Sequence, residues 1–117
     1  MMEKGRPVRL GEFEELILIS VAALENEAYT VSIQEFIEER TGRNAPVGSV
    51  YIALERLQSK DCVRSKLGDP SPHRGGKRKK YYRITETGIK LLHQAHEARV
   101  YLWKGVDREQ KWGLVWE

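Results

Sequence analysis

The chain has 117 residues, of which 32% are charged and 40% hydrophobic, and its formal net charge is +3. That length suits one domain with a modest core, and the composition excludes a disordered chain. The single cysteine excludes an internal disulfide, and no apolar run approaches the roughly 20 residues of a membrane helix, so the sequence reads as cytoplasmic.

Residues 1–10 carry Lys4, Arg6 and Arg9 around Gly5 and Pro7 and read as a flexible arm with no apolar signal region. Gly11 to Leu24 predicts a first helix. Its second half, from Leu16 through Ile19 to Leu24, leaves almost no polar face. A helix apolar all round must be covered on all sides, and a second subunit could supply that cover. Asn26 to Val31 reads as a loop. Ser32 with Glu35 makes a capping-box pattern for a second helix ending near Thr41, with Gly42 as its stop.

After a short turn, Pro46 to Lys60 predicts a third helix, with Pro46 at its first position. Val47, Val50, Leu54 and Leu57 form its apolar stripe, and Gly48, Ser49, Ile52, Glu55, Arg56 and Ser59 its opposite face. Helix, short turn, helix is the helix-turn-helix arrangement. Asp61 stands at the exit, where a left-handed residue is often needed. Cys62 reads as a small core residue. Val63 to Leu67 alternates as a strand, Gly68 to Gly76 is dense in turn formers, and Lys77 to Ile84 reads as a returning strand. Thr85 is the expected N-cap of a long helix reaching Lys104. Leu91, Ala95, Ala98 and Leu102 form a stripe on it, with Leu92, Arg99 and Trp103 alongside, and such a stripe calls for a partner. Gly105 ends it. The remaining segment to Glu117 carries Trp112, Leu114, Val115 and Trp116.

The hairpin carries the main functional signal. Arg74, Lys77, Arg78, Lys79, Lys80 and Arg83 fall within ten positions with no acid between them. Such residues neutralise duplex phosphates and make binding salt-dependent. On the third helix, Gly48 permits close approach, Ser49 could bond a phosphate or base edge, Arg56 could reach a guanine or phosphate, and Ile52 could meet a thymine methyl. Tyr51 sits at the stripe's edge with its hydroxyl free to meet a phosphate. Each has a plainer reading, as does the basic run, which as a solvated strand edge would only be guarded against pairing. His93, His96 and Glu97 share a helix face, but no Cys or Asp cluster joins them, so neither a metal nor another cofactor is expected. No nucleophile triad or phosphate-binding glycine loop points to an enzyme.

Val47 to Leu57, followed by Gly75-Gly-Lys-Arg-Lys-Lys-Tyr-Tyr-Arg-Ile-Thr-Glu-Thr-Gly88, resembles the PadR family of bacterial transcriptional regulators. The shared pattern is a small residue and Ser or Thr before an apolar-Tyr pair, a Leu-x-x-Leu helix, a Gly-Gly-basic wing and Tyr-x-Ile-Thr-x-x-Gly. A single long terminal helix is similar to the smaller subgroup. The resemblance implies a homodimeric winged-helix repressor whose terminal helix dimerises against the partner's first helix. It also implies, in some members, a response to a small hydrophobic effector near the dimer interface. By position, Ser49, Tyr51 and Arg56 match the DNA-facing helix, and Gly75 to Lys80 the wing. Asp61 stands where the family has glycine, and Trp103 lies about one turn beyond the aromatic that resemblance associates with drug binding.

The expectation is a mainly α (α+β) winged helix-turn-helix: arm 1–10, DNA-binding domain 11–84, dimerisation helix 85–104 and tail 105–117. Its expected partners are double-stranded DNA and a second copy, through Leu16, Ile19, Leu91, Ala95, Ala98, Leu102 and Trp103. Two rivals remain open: a winged-helix module that binds protein, and a small-molecule sensor on the dimer interface with secondary DNA binding.

Overall fold

A computed structural model of the chain describes residues 9–70 and 75–106. Its elements are α1 (Glu12–Leu24), a 3-10 turn (Glu25–Glu27), α2 (Thr30–Thr41), α3 (Val47–Ser59), β1 (Val63–Pro70), β2 (Arg78–Ile84) and α4 (Glu86–Lys104). Among the described residues, four α-helices and one antiparallel hairpin make a mainly α, winged helix-turn-helix fold.

The core lies where α1, α2 and α3 meet, and the base of the hairpin closes it. Ile17, Leu18, Ile33, Leu54 and Leu57 are wholly buried, with Val63 and Tyr82 beside them. Each such aliphatic side chain contributes about 1.5–3 kcal/mol. On α3 the expected stripe holds for Val50, Leu54 and Leu57. Val47 is 43% exposed, however, and Ala53 is buried instead. The reason is that Pro46, with φ −60° and ψ 143°, is the extended N-cap and not the first helical residue, so Val47 sits on the helix's open first turn. Cys62 is buried, and burial pushes its thiol pKa up, as suits a packing residue.

The start of α2 differs from expectation. The helix begins at Thr30, with Tyr29 as N-cap, and Ser32 lies inside it. Ser32 Oγ accepts the Tyr29 N–H at 2.9 Å and donates to the Glu27 carbonyl at 2.6 Å, so it reaches back to the cap and is not the cap itself. The cause is tertiary. The Tyr82 N–H donates to the Ala28 carbonyl at 2.8 Å, and Tyr29 bridges to Tyr81, so β2 holds residues 28–29 extended. Gly42 ends α2 with φ 71°.

Asp61 takes the left-handed conformation, φ 62°. Its N–H bonds the Gln58 carbonyl at 3.0 Å and the Cys62 N–H bonds Leu57 at 2.8 Å. These two bonds form a Schellman motif, which turns the chain from α3 directly into β1. Thr85 caps α4 as expected, accepting the Gly88 N–H at 3.0 Å and donating to the Asp61 carbonyl at 2.6 Å. The same turn therefore anchors α3, β1 and α4. The first half of α4 rests Leu91 and Leu92 on the core, and Arg99 makes a two-pronged contact to Glu15 of α1 at 2.6 and 3.1 Å.

Candidate nucleic-acid interface

A helix enters a groove only through side chains its own core leaves free, so burial on α3 defines the candidate face. Gly48, Ser49 and Arg56 are exposed. Tyr51 is 46% and Ile52 53% exposed. These five residues share the outer surface of α3, and Gly48 leaves the first turn without a side chain, with nothing within 4 Å of where a Cβ would stand.

The hairpin adjoins this surface. β1 and β2 pair with Arg64 opposite Arg83, Ser65 opposite Tyr82, Lys66 opposite Tyr81 and Leu67 opposite Lys80. Strand alternation divides the basic run between two faces. Lys80 and Tyr82 face α3, where Lys80 Nζ lies 3.6 Å from Glu55 Oε2. Lys79 and Tyr81 face the other way, and Lys79 Nζ sits 4.1 Å above the Tyr29 ring. Lys77 and Arg78 are exposed near the hairpin tip. Arg74 lies outside the described residues. Of the predicted wing cations described, two are therefore free of the body and two are held by neighbours. Near the tip the strand register slips between Leu67 and Pro70. Gly68 there lets the Tyr81 ring cross β1, since a Cβ would come within 2.6 Å of it. On this far side a groove of about 840 Å³ includes Asn26, Arg64, Lys66 and Arg83 but no residue of α3.

At its other end α3 is tied to α1. Lys60 Nζ donates to Glu14 Oε1 at 2.6 Å and to the Arg9 carbonyl at 2.7 Å, while Glu14 also accepts the Gly11 N–H at 2.8 Å. Burial alone would raise the Glu14 pKa, but these bonds and the nearby Lys60 and Arg56 charges outweigh it and lower the pKa. Local sequence patterns do not reveal this anchor, because its partners stand 46 residues apart.

The residues named for a dimer interface fall into two groups. Leu16 and Leu91 pack partly on their own core, and Ala95 is half-buried. Ile19 is 43%, Leu102 76% and Trp103 62% exposed, and Ala98 is exposed. From His96 to Gly105 every residue of the terminal helix and its cap is exposed. Among the described residues no helix is long and apolar enough to cross a membrane.

The model of the transcriptional regulator PadR-like family matches residues 18–94, from the middle of α1 into α4. None of the curated proteins matches this chain. Solved structures share the fold. A PadR-like transcription factor from Bacteroides fragilis has a TM-score of 0.68 at 23% identity, over 79% of this chain and 84% of its own. A PadR family transcriptional regulator from Eggerthella lenta gives 0.64 at 23% identity, over 80% and 81%. A transcriptional regulator from Clostridium thermocellum gives 0.61 at 26% identity, over 80% and 92%. The matched segment holds the helix-turn-helix, both hairpin strands and the Thr85–Gly88 cap, and members of the matched family are transcriptional regulators and not enzymes. This chain belongs to the PadR-like family of transcriptional regulators.

Proposed function

We propose that the protein is a homodimeric repressor that binds a pseudo-palindromic operator, with α3 in the major groove and the hairpin on the adjacent backbone. The carrying observation is the joint placement of the open α3 face and the cationic hairpin across the Lys80–Glu55 seam. In this reading Ser49, Tyr51, Ile52 and Arg56 face the base edges and phosphates, and Gly48 lets the helix start come close. Lys77 and Arg78 supply phosphate contacts. Dimerisation is supported by the exposed Val100, Tyr101, Leu102 and Trp103 on α4, and by Ile19, Ala22 and Ala23 on α1. Exposed large apolar side chains are the kind of surface that a partner covers. A small hydrophobic effector bound at that interface would relieve repression by binding the DNA-incompetent dimer more tightly.

Selection of duplexes from a random pool tests this. The expected product is two inverted half-sites about 10 base pairs apart, centre to centre. A recovered pool without symmetry, or with no enrichment, would count against a dimeric operator-binding protein.

A further inference from the structure

The seam between α3 and β2 holds two buried polar atoms that the proposed function leaves unused. Tyr82 is 2% exposed, and neither its hydroxyl nor Glu55 Oε2 has a hydrogen-bond partner among the described residues. Native interiors rarely leave such groups unpaired, because the lost solvation is not recovered. Glu55 is the single acid of α3. Its side chain is 45% exposed, yet Oε2 is screened from solvent and turned towards Lys80, 3.6 Å away. That is a loose ion pair, too long for a hydrogen bond. Lys80 Nζ also lies 5.8 Å from the centroid of the Tyr82 ring, so the lysine is the neighbour common to both groups. Burial first, then the neighbouring Glu55 and Tyr51, pushes the Tyr82 phenol up to about 12, so it remains a hydrogen-bond donor at ordinary pH.

We propose that Glu55 and Tyr82 form an exchange device: Glu55 holds Lys80 in the free protein, and on DNA its carboxylate accepts the Tyr82 hydroxyl while Lys80 moves to a backbone phosphate. This rests on the DNA-binding reading above. A phosphate competes with Glu55 for Lys80, and releasing the lysine would otherwise strand a carboxylate beside the duplex. The Tyr82 O–H removes that penalty. One ion pair replaces another, one hydrogen bond is gained, and both orphaned atoms are satisfied. Glu55 and Tyr82 are positioning residues here, since both act through Lys80.

The test is a salt titration of binding to a duplex from the gene's own upstream region. It compares wild type, Tyr82→Phe, Glu55→Gln and the double variant, with thermal unfolding of each. A phosphate-bound lysine contributes about 0.9 to the slope of log affinity against log salt. Tyr82→Phe should reduce that slope by about one unit and weaken binding about tenfold. Its thermal midpoint should stay level or rise, because the hydroxyl has no partner to lose in the free protein. In the Glu55→Gln background the same change should leave the slope alone, as no carboxylate retains Lys80. A wild-type slope in Tyr82→Phe overturns the exchange and leaves the DNA reading intact. A lower thermal midpoint also overturns it, because the hydroxyl would then already be engaged. No selective binding by wild type overturns the DNA reading and this inference together.

Discussion

Gly88→Ala should destabilise the protein although it replaces a helical glycine with the best helix former. In an open helix position this change gains about 0.5–1 kcal/mol. At position 88 a Cβ would stand 2.4 Å from the Cys62 carbonyl oxygen and 2.8 Å from Ile84 Cγ1. The first contact is with backbone, and that carbonyl is itself fixed by the Thr85 N–H at 2.9 Å. Relief therefore requires α4 to retreat as a body. It would strain the Thr85 bonds to Cys62 and Asp61, worth about 1 kcal/mol each, and open a gap over the core. The net loss should be about 1–3 kcal/mol, a fall in thermal midpoint of about 4–15 °C for a chain of this size. Circular dichroism melts at one protein concentration would read it, since any dimer makes the midpoint concentration-dependent. Gly48→Ala is the control. Nothing lies within 4 Å of its would-be Cβ, so this variant should melt no lower than wild type. A Gly88→Ala midpoint at or above wild type would refute the close approach of α4 to the Cys62 turn.

Four further outcomes follow from the same geometry. Asp61→Gly should raise the midpoint by a few degrees, about 0.5–1 kcal/mol, because glycine takes φ 62° without a steric penalty; an unchanged or lower midpoint would argue against the Schellman turn. Lys60→Ala should cost about 1–3 kcal/mol by stranding the mostly buried Glu14, read by urea unfolding. In wild type the Glu14 contribution carries a definite pH sign. Its folded pKa lies below the ordinary 4.5, so the stabilisation is complete above that value and drains away as pH falls through the lower folded value. Stability that does not fall more steeply in wild type than in Lys60→Ala on acidification would contradict this. Leu102→Glu should convert a dimer to monomer in sedimentation while leaving the monomer folded, as Leu102 is 76% exposed; an unchanged mass would remove α4 from the interface.

Much of the fold is legible from local chemistry. The helices announce themselves by periodicity, Gly42 and Thr85 mark their ends, and Asp61 marks a left-handed exit because it is a residue that tolerates that conformation between a helix and a strand. What escapes local reading is tertiary. The early start of α2 depends on β2 holding Ala28 and Tyr29 extended, and nothing within residues 26–32 encodes that pairing. The Glu14–Lys60 tie joins residues distant in sequence. On the candidate interface, helical spacing identifies Gly48, Ser49, Ile52 and Arg56 as exposed, whereas Tyr51, which it places at the edge of the core stripe, is 46% exposed. The basic run reads as one patch, whereas strand alternation sends Lys79 to Tyr29 and Lys80 to Glu55. That division was available in the sequence, since period-two alternation separates neighbours, but which face meets α3 was not.

Whether the wing and α3 together bind duplex DNA is read by a titration against the gene's own upstream region at about 50 and 200 mM salt. Wild type is compared with a Lys77/Arg78/Lys79/Lys80→Ala variant. Tight, sequence-selective wild-type binding is expected, falling roughly 10³–10⁵-fold between the two salts if six to ten phosphates are neutralised. The variant should lose most of that affinity and show a shallower salt dependence. Binding that is insensitive to salt, or equally tight in the variant, would contradict a protein that holds DNA through its wing.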